Sequence, residues 1–147
     1  MTTNTNLMPY ILRFGLAYFI ALIIVDTIMI VFDINSSAFS SSTLIAGLFA
    51  ATHKFVTDEK RVPTGSEKVK MAFGSLAISY LISIVVMVAF IAWEGEELYN
   101  ELLALFSENT TILLVVLTLV SLFFFGLLVL GYGFVSKMQL KNLEKQK

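Results

Sequence analysis

The chain has 147 residues, of which 57% are apolar and only 14% charged, with a formal net charge of −1. An ordinary soluble domain is about half apolar and a quarter charged, so the balance already points away from water. With no cysteine the chain has no disulfide, thiolate metal site, covalently attached haem or thiol nucleophile, and its one histidine, His53, rules out a multi-histidine metal centre.

In chain order, four stretches are long and apolar enough to cross a hydrocarbon core of about 30 Å, which takes about 20 residues of helix. The first, 10–32, is interrupted only by Arg13 and Asp26. Its apolar run is too long for a signal peptide and no basic segment precedes it, so it is read as an uncleaved anchor. The second, 38–56, is shorter and opens on Ser40, Ser41 and Ser42. The third, 72–93, and the fourth, 111–135, carry no formal charge. These segments lack strand alternation, so a closed barrel does not fit. The expected fold is an all-α integral membrane protein, with residues 1–147 forming a single four-span transmembrane domain.

Orientation follows from the basic residues. Arg13 flanks span one; Lys54, Lys60, Arg61, Lys68 and Lys70 fill the second connection; Lys137, Lys141, Lys145 and Lys147 fill the tail. The other two connections hold Asp33, Glu94, Glu96, Glu97, Glu101 and Glu108 instead. All ten Lys and Arg thus fall on one side, which places both termini in the cytoplasm.

Within the basic connection, Thr64 and Glu67 have the spacing of a capping box and mark the start of helix three, while Pro63 stops helix two. The segment reads either as a helix start alone or as a place where Lys60, Arg61, Lys68 and Lys70 hold anionic lipid head groups. Arg13, just inside span one, is expected to snorkel to the same head groups. On the acidic side, Leu98, Leu102, Leu105 and Phe106 recur at helical spacing after a break near Gly95. They define a short amphipathic helix between spans three and four that either lies in the interface or contacts protein.

No phosphate-binding glycine loop, HExxH, nucleophile elbow or pair of carboxylates on one apolar helix is present, so neither enzymatic activity, a cofactor, a metal nor nucleic-acid binding is expected. His53 reads as an interfacial helix-end residue. Asp26 stands apart. It lies six residues before the end of span one, roughly 9 Å inside at 1.5 Å per residue. An ionised Asp near mid-membrane costs about 2.5–3.5 kcal/mol on insertion scales, less away from the centre, unless it is paired or hydrated. Counted from the same boundary, Thr118 lies at a similar depth, Thr43 shallower and Ser83 deeper. These hydroxyls are candidates to line a ligand or proton site with Asp26; the other reading is a hydrogen-bonded packing residue.

Small residues recur at four-residue spacing: Ala17 and Ala21, Ser42-Ala46-Ala50 with Gly47-Ala51, and Ser75-Ser79-Ser83. Such rows let helices approach closely in lipid, and more of them are present than one thin bundle needs, so a homo-oligomer is expected. Gly126, Gly131 and Gly133 suggest a bend late in span four.

Arg13-Phe14-Gly15, Arg61-Val62-Pro63-Thr64 with Glu67, and Gly131-Tyr132-Gly133 carry a resemblance over nearly the whole chain. The sequence resembles a small family of four-span inner-membrane proteins of Gram-negative bacteria. That resemblance implies an inner-membrane protein, homo-oligomeric and with a trimer as the expected state, connected with envelope integrity and with lipid or drug handling. None of its motifs is a catalytic signature. The small multidrug transporters are similar in having four spans and an acid in helix one, although Asp26 lies nearer the outer side than mid-span. Three functions remain open: binding or moving a lipid or other amphiphile, scaffolding of envelope proteins, and proton-coupled export of small drugs through Asp26.

Overall fold

The computed structural model describes residues 5–33 and 37–145, leaving out the side chains of 37–40, 94, 97, 98 and 108. The described chain is helical throughout: α1 (Met8–Phe32), α2 (Ser37–Glu59), α3 (Gly65–Glu94) and α4 (Glu96–Glu144). Three helices are long and apolar enough to cross a membrane: α1, the Gly65–Trp93 portion of α3 and the Asn109–Glu144 portion of α4. α2, expected as the second span, falls outside that set. Its 23 residues include Ser41, Ser42, Thr43, Thr52, His53, Lys54, Thr57 and Asp58, which dilute its apolar content.

Each helix boundary has a local cause. Pro9 sits in the first turn of α1, where its missing N–H costs nothing. α2 stops at Glu59 because Lys60 takes a left-handed φ of 53° and Pro63 follows shortly after. α3 starts with the capping box read in the sequence: Thr64 Oγ1 accepts from the Glu67 N–H at 3.4 Å, and Glu67 Oε2 accepts from the Thr64 N–H at 2.7 Å. Gly95, with φ of 95°, breaks the chain between α3 and α4, and a helical arm of residues 96–108 follows as expected. The expected bend at Gly126, Gly131 and Gly133 is corrected. Within α4 the non-helical residue is Asn109, and the three glycines lie in continuous helix. Gly131 and Gly133 serve close packing instead, facing Leu48 of α2 and Lys68 of α3.

Contacts along the helices fix the bundle. Tyr10 meets Phe55 edge-on at 5.0 Å while Phe14 packs on Gly47, so α1 and α2 are antiparallel. Ile11 faces Gly74, Gly15 faces Ile78 and Tyr18 reaches Ser83, so α1 and α3 are parallel. Ser75 bonds Tyr132 and Tyr80 bonds Ser121, making α3 and α4 antiparallel. Leu48 covers Gly131, and Gln139 Nε2 donates to the Phe49 carbonyl at 3.3 Å, so α2 runs parallel to α4. Among the described residues no Cα of α1 comes within 8 Å of one in α4, nor any of α2 within 8 Å of one in α3. Around the bundle the order is therefore α1, α2, α4, α3.

The buried core gathers at the end where α2 turns into α3. Phe14, Ala51, Phe55, Val56, Met71, Ala72 and Tyr132 are each 0% exposed there. At the other end large apolar side chains face outward, among them Val31, Phe32, Val85, Val88, Ile112 and Leu114. In water such a surface would be untenable; facing acyl chains or another protein, it is stable without further burial.

Candidate functional site

Asp26 lies on the wall of a cavity of about 370 Å³ between α1, α2 and α3. Tyr18, Leu22 and Asp26 come from successive turns of one face of α1, Thr43 from α2, and Ser83, Met87 and Phe90 from one face of α3. Three of the four polar positions read from the sequence thus share one cavity. Val86, Met87, Phe90 and Leu22 supply its apolar surface. The volume lies in the lower part of the range for small-ligand sites, about 300–1,000 Å³.

The Tyr18 hydroxyl is hydrogen-bonded to Ser83 Oγ at 3.2 Å and ties two walls of the cavity together. Tyr18 is 8% exposed, whereas Asp26 is exposed to the hollow and forms no ion pair among the described residues. The site holds one carboxylate, hydroxyls and an apolar lining, with no cationic side chain in its walls. Among the described residues no group of three His, Cys, Asp or Glu comes together to hold a metal ion.

Thr118 does not join this site. It is exposed on α4 in a separate shallow hollow with Leu114, Val115 and Leu119, and its hydroxyl donates to the Leu114 carbonyl at 2.8 Å. The cause is the order of helices: α4 sits diagonally across from α1, so equal depth does not bring Thr118 near Asp26. A second hollow of about 300 Å³ lies between α2 and α4, lined by Leu44, Leu48, Phe123, Leu127 and other apolar side chains with Ser41. It has no charged group.

The basic positions also divide. Arg61, expected among lipid-binding cations, is committed inside the protein. Its guanidinium donates from both terminal nitrogens to Glu67 at 2.7 Å each, and Nη2 also donates to Thr5 Oγ1 at 3.1 Å. It lies 3.5 Å from Glu59 and stacks over Phe55 with 5.2 Å to the ring centre. A bidentate pair of this kind closes the α2–α3 turn and leaves no free fork for a phosphate. Hydrogen bonding by Arg61, helped by the Thr64 backbone and hydroxyl and opposed by burial, lowers the Glu67 carboxyl to about 2. Glu67 lies in the first turn of α3, on the loop side of the 72–93 apolar stretch. Lys68 is half-buried, with its Nζ against Gly133 on α4. Arg13, Lys60 and Lys70 are exposed and form no salt bridge among the described residues. His53 is exposed beside the Lys54–Asp58 ion pair of 2.9 Å.

Sequence reasoning assigned no hydrogen-bonding role to Tyr18, Tyr80 or Tyr132. Tyr18–Ser83, Tyr132–Ser75 at 2.5 Å and Tyr80–Ser121 all link α3 to a neighbour. A tyrosine deep in an apolar span is itself the signal, since its hydroxyl finds a partner when water is absent.

No family model, curated protein or solved structure matches this chain.

Proposed function

We propose that the chain is a four-span inner-membrane protein, with both termini cytoplasmic, that assembles with copies of itself and binds or moves a lipid or other amphiphile in support of envelope integrity. The observation that carries the reading is the shared cavity, lined by the polar side chains of Asp26, Thr43 and Ser83 and by the apolar ones of Leu22, Val86, Met87 and Phe90. A site with one charged anchor and an apolar body suits a molecule built the same way. The fourth crossing is supported by α2 lying between two long apolar helices, antiparallel to α1 and parallel to α4. At that position its polar residues meet protein rather than lipid, as with buried Thr43 and Thr52.

Exposed Arg13, Lys60 and Lys70 suit anionic head groups at the cytoplasmic surface, and the outward apolar face suits a homo-oligomer, with the trimer resting on the family resemblance alone. A scaffold for envelope proteins is the second reading. It is favoured by the arm of residues 96–108, where Tyr99, Leu103, Leu105 and Phe106 are exposed beside Glu96 and Glu101. Proton-coupled drug export through Asp26 would use the same cavity.

Native mass spectrometry of the protein released from a mild nonionic detergent tests the reading. An oligomer retaining a bound lipid or other amphiphile is expected. A monomer carrying none, over a range of concentrations, contradicts it.

A further inference from the structure

We infer that the ligand of the Asp26 cavity carries a protonated amine or quaternary ammonium group on an apolar body; this rests on the amphiphile-binding reading above. The argument begins with charge balance. A carboxylate about 9 Å inside a span needs a counter-charge, hydration or a proton. The walls provide Tyr18, Thr43 and Ser83 hydroxyls but no Lys, Arg or His, and no ion pair reaches Asp26 among the described residues. A positive group that compensates it in place therefore comes with the ligand.

The rest of the lining narrows the cation. A hard divalent metal takes six or more oxygen ligands, and one carboxylate with two or three hydroxyls does not furnish them. Nor do the described residues bring together a metal-holding group of His, Cys, Asp or Glu. A cavity of about 370 Å³ is far larger than a proton or a bare monovalent ion requires. Its remaining surface is Leu22, Val86, Met87 and the Phe90 ring, which an alkyl or aryl body fills. Phe90 adds an aromatic ring to the same lining, and an organic ammonium is attracted to such rings. A phospholipid ethanolamine offers the same ammonium, but its phosphate would enter a hollow that has no cation to receive it.

The test is equilibrium binding of radiolabelled octyltrimethylammonium and, separately, octyl sulfate to the full-length protein in a nonionic detergent. The two probes share a chain and differ in the sign of the head group. Wild type is expected to bind the ammonium saturably and at least about tenfold more tightly than the sulfate. Asp26→Asn is expected to lose that preference, and Asp26→Glu, which keeps the charge, to retain it even if Asn disturbs assembly. Saturable but equal binding of both probes, or ammonium binding unchanged in Asp26→Asn, overturns the inference and leaves the amphiphile reading standing. Saturable binding of neither probe overturns both. In the expected case, competition by dihexanoylphosphatidylethanolamine assigns the ammonium to a lipid head group, and lack of competition assigns it to a free amine.

Discussion

The Tyr18 hydroxyl and Ser83 Oγ, 65 positions apart in the chain, are hydrogen-bonded at 3.2 Å across the α1–α3 seam, in the wall of the cavity that Asp26 also lines. Inter-helix bonds of this type in membranes average about 0.6 kcal/mol and reach about 1.7 kcal/mol. Tyr18→Phe and Ser83→Ala should each destabilise the protein by about 1 kcal/mol, with the double variant little worse than either single one. A double-mutant cycle on thermal unfolding in mild detergent measures that coupling.

Much of this frame was legible from residue order. The Thr64–Glu67 box and the break at Gly95 were readable because their signals are local, depending on three-residue spacing or on one left-handed φ. Asp26, Thr43 and Ser83 were brought together by counting depth, since α1, α2 and α3 adjoin. The same count misplaced Thr118, because depth fixes height along a bundle and not the order of helices around it. Arg61 was counted as a loop cation when its fork closes on Glu67 across the turn, a geometry that charge counting does not contain. Asn109 breaks α4 without a glycine or proline to announce it; a short polar side chain that competes for backbone hydrogen bonds is the only local sign.

The Arg61–Glu67 fork gives stability a defined acid limit. Glu67 titrates at about 2 in the folded protein against an ordinary 4.5. A depressed carboxyl contributes fully above its unfolded value and loses that contribution as pH falls through the folded one. Wild-type thermal stability should therefore decline between about pH 4.5 and 2 in part through Glu67. Glu67→Gln should be less stable by about 2 kcal/mol at pH 7, the scale of hydrogen bonds to a charged group, and should show a flatter acid limb. Melting curves of both proteins from pH 7 downward check the sign.

Two glycines should respond in opposite ways to one added methyl. A Cβ at Gly47 would stand 2.9 Å from the Phe14 ring and 3.1 Å from the Phe14 carbonyl oxygen, and Phe14 is fully buried. Gly47→Ala should separate α1 from α2 and cost about 1–3 kcal/mol, as overpacking does. Gly126 has nothing within 4 Å of the corresponding position. Gly126→Ala should be neutral or slightly stabilising through helix propensity. Unfolding of the two variants side by side gives the comparison.

For the four-crossing arrangement, single cysteines at Asn100 and Asn142, both exposed, should behave differently in intact spheroplasts. The first should label with a membrane-impermeant maleimide and the second only after lysis. Labelling of both, or of Asn142→Cys alone, contradicts both termini being cytoplasmic.

The cavity beside Asp26 is the centre of the account, and Met87 stands on its wall, on the α3 face that carries Ser83. The most direct measurement is the rate at which Met87→Cys reacts with N-ethylmaleimide in proteoliposomes, with and without an added single-chain amphiphile. Val85→Cys, an exposed position outside the cavity lining, serves as reference. If the cavity takes an amphiphile, the Met87→Cys rate falls several-fold at saturation while the Val85→Cys rate does not change. Equal rates at Met87→Cys with and without every amphiphile tried, cationic, neutral and anionic, would contradict it.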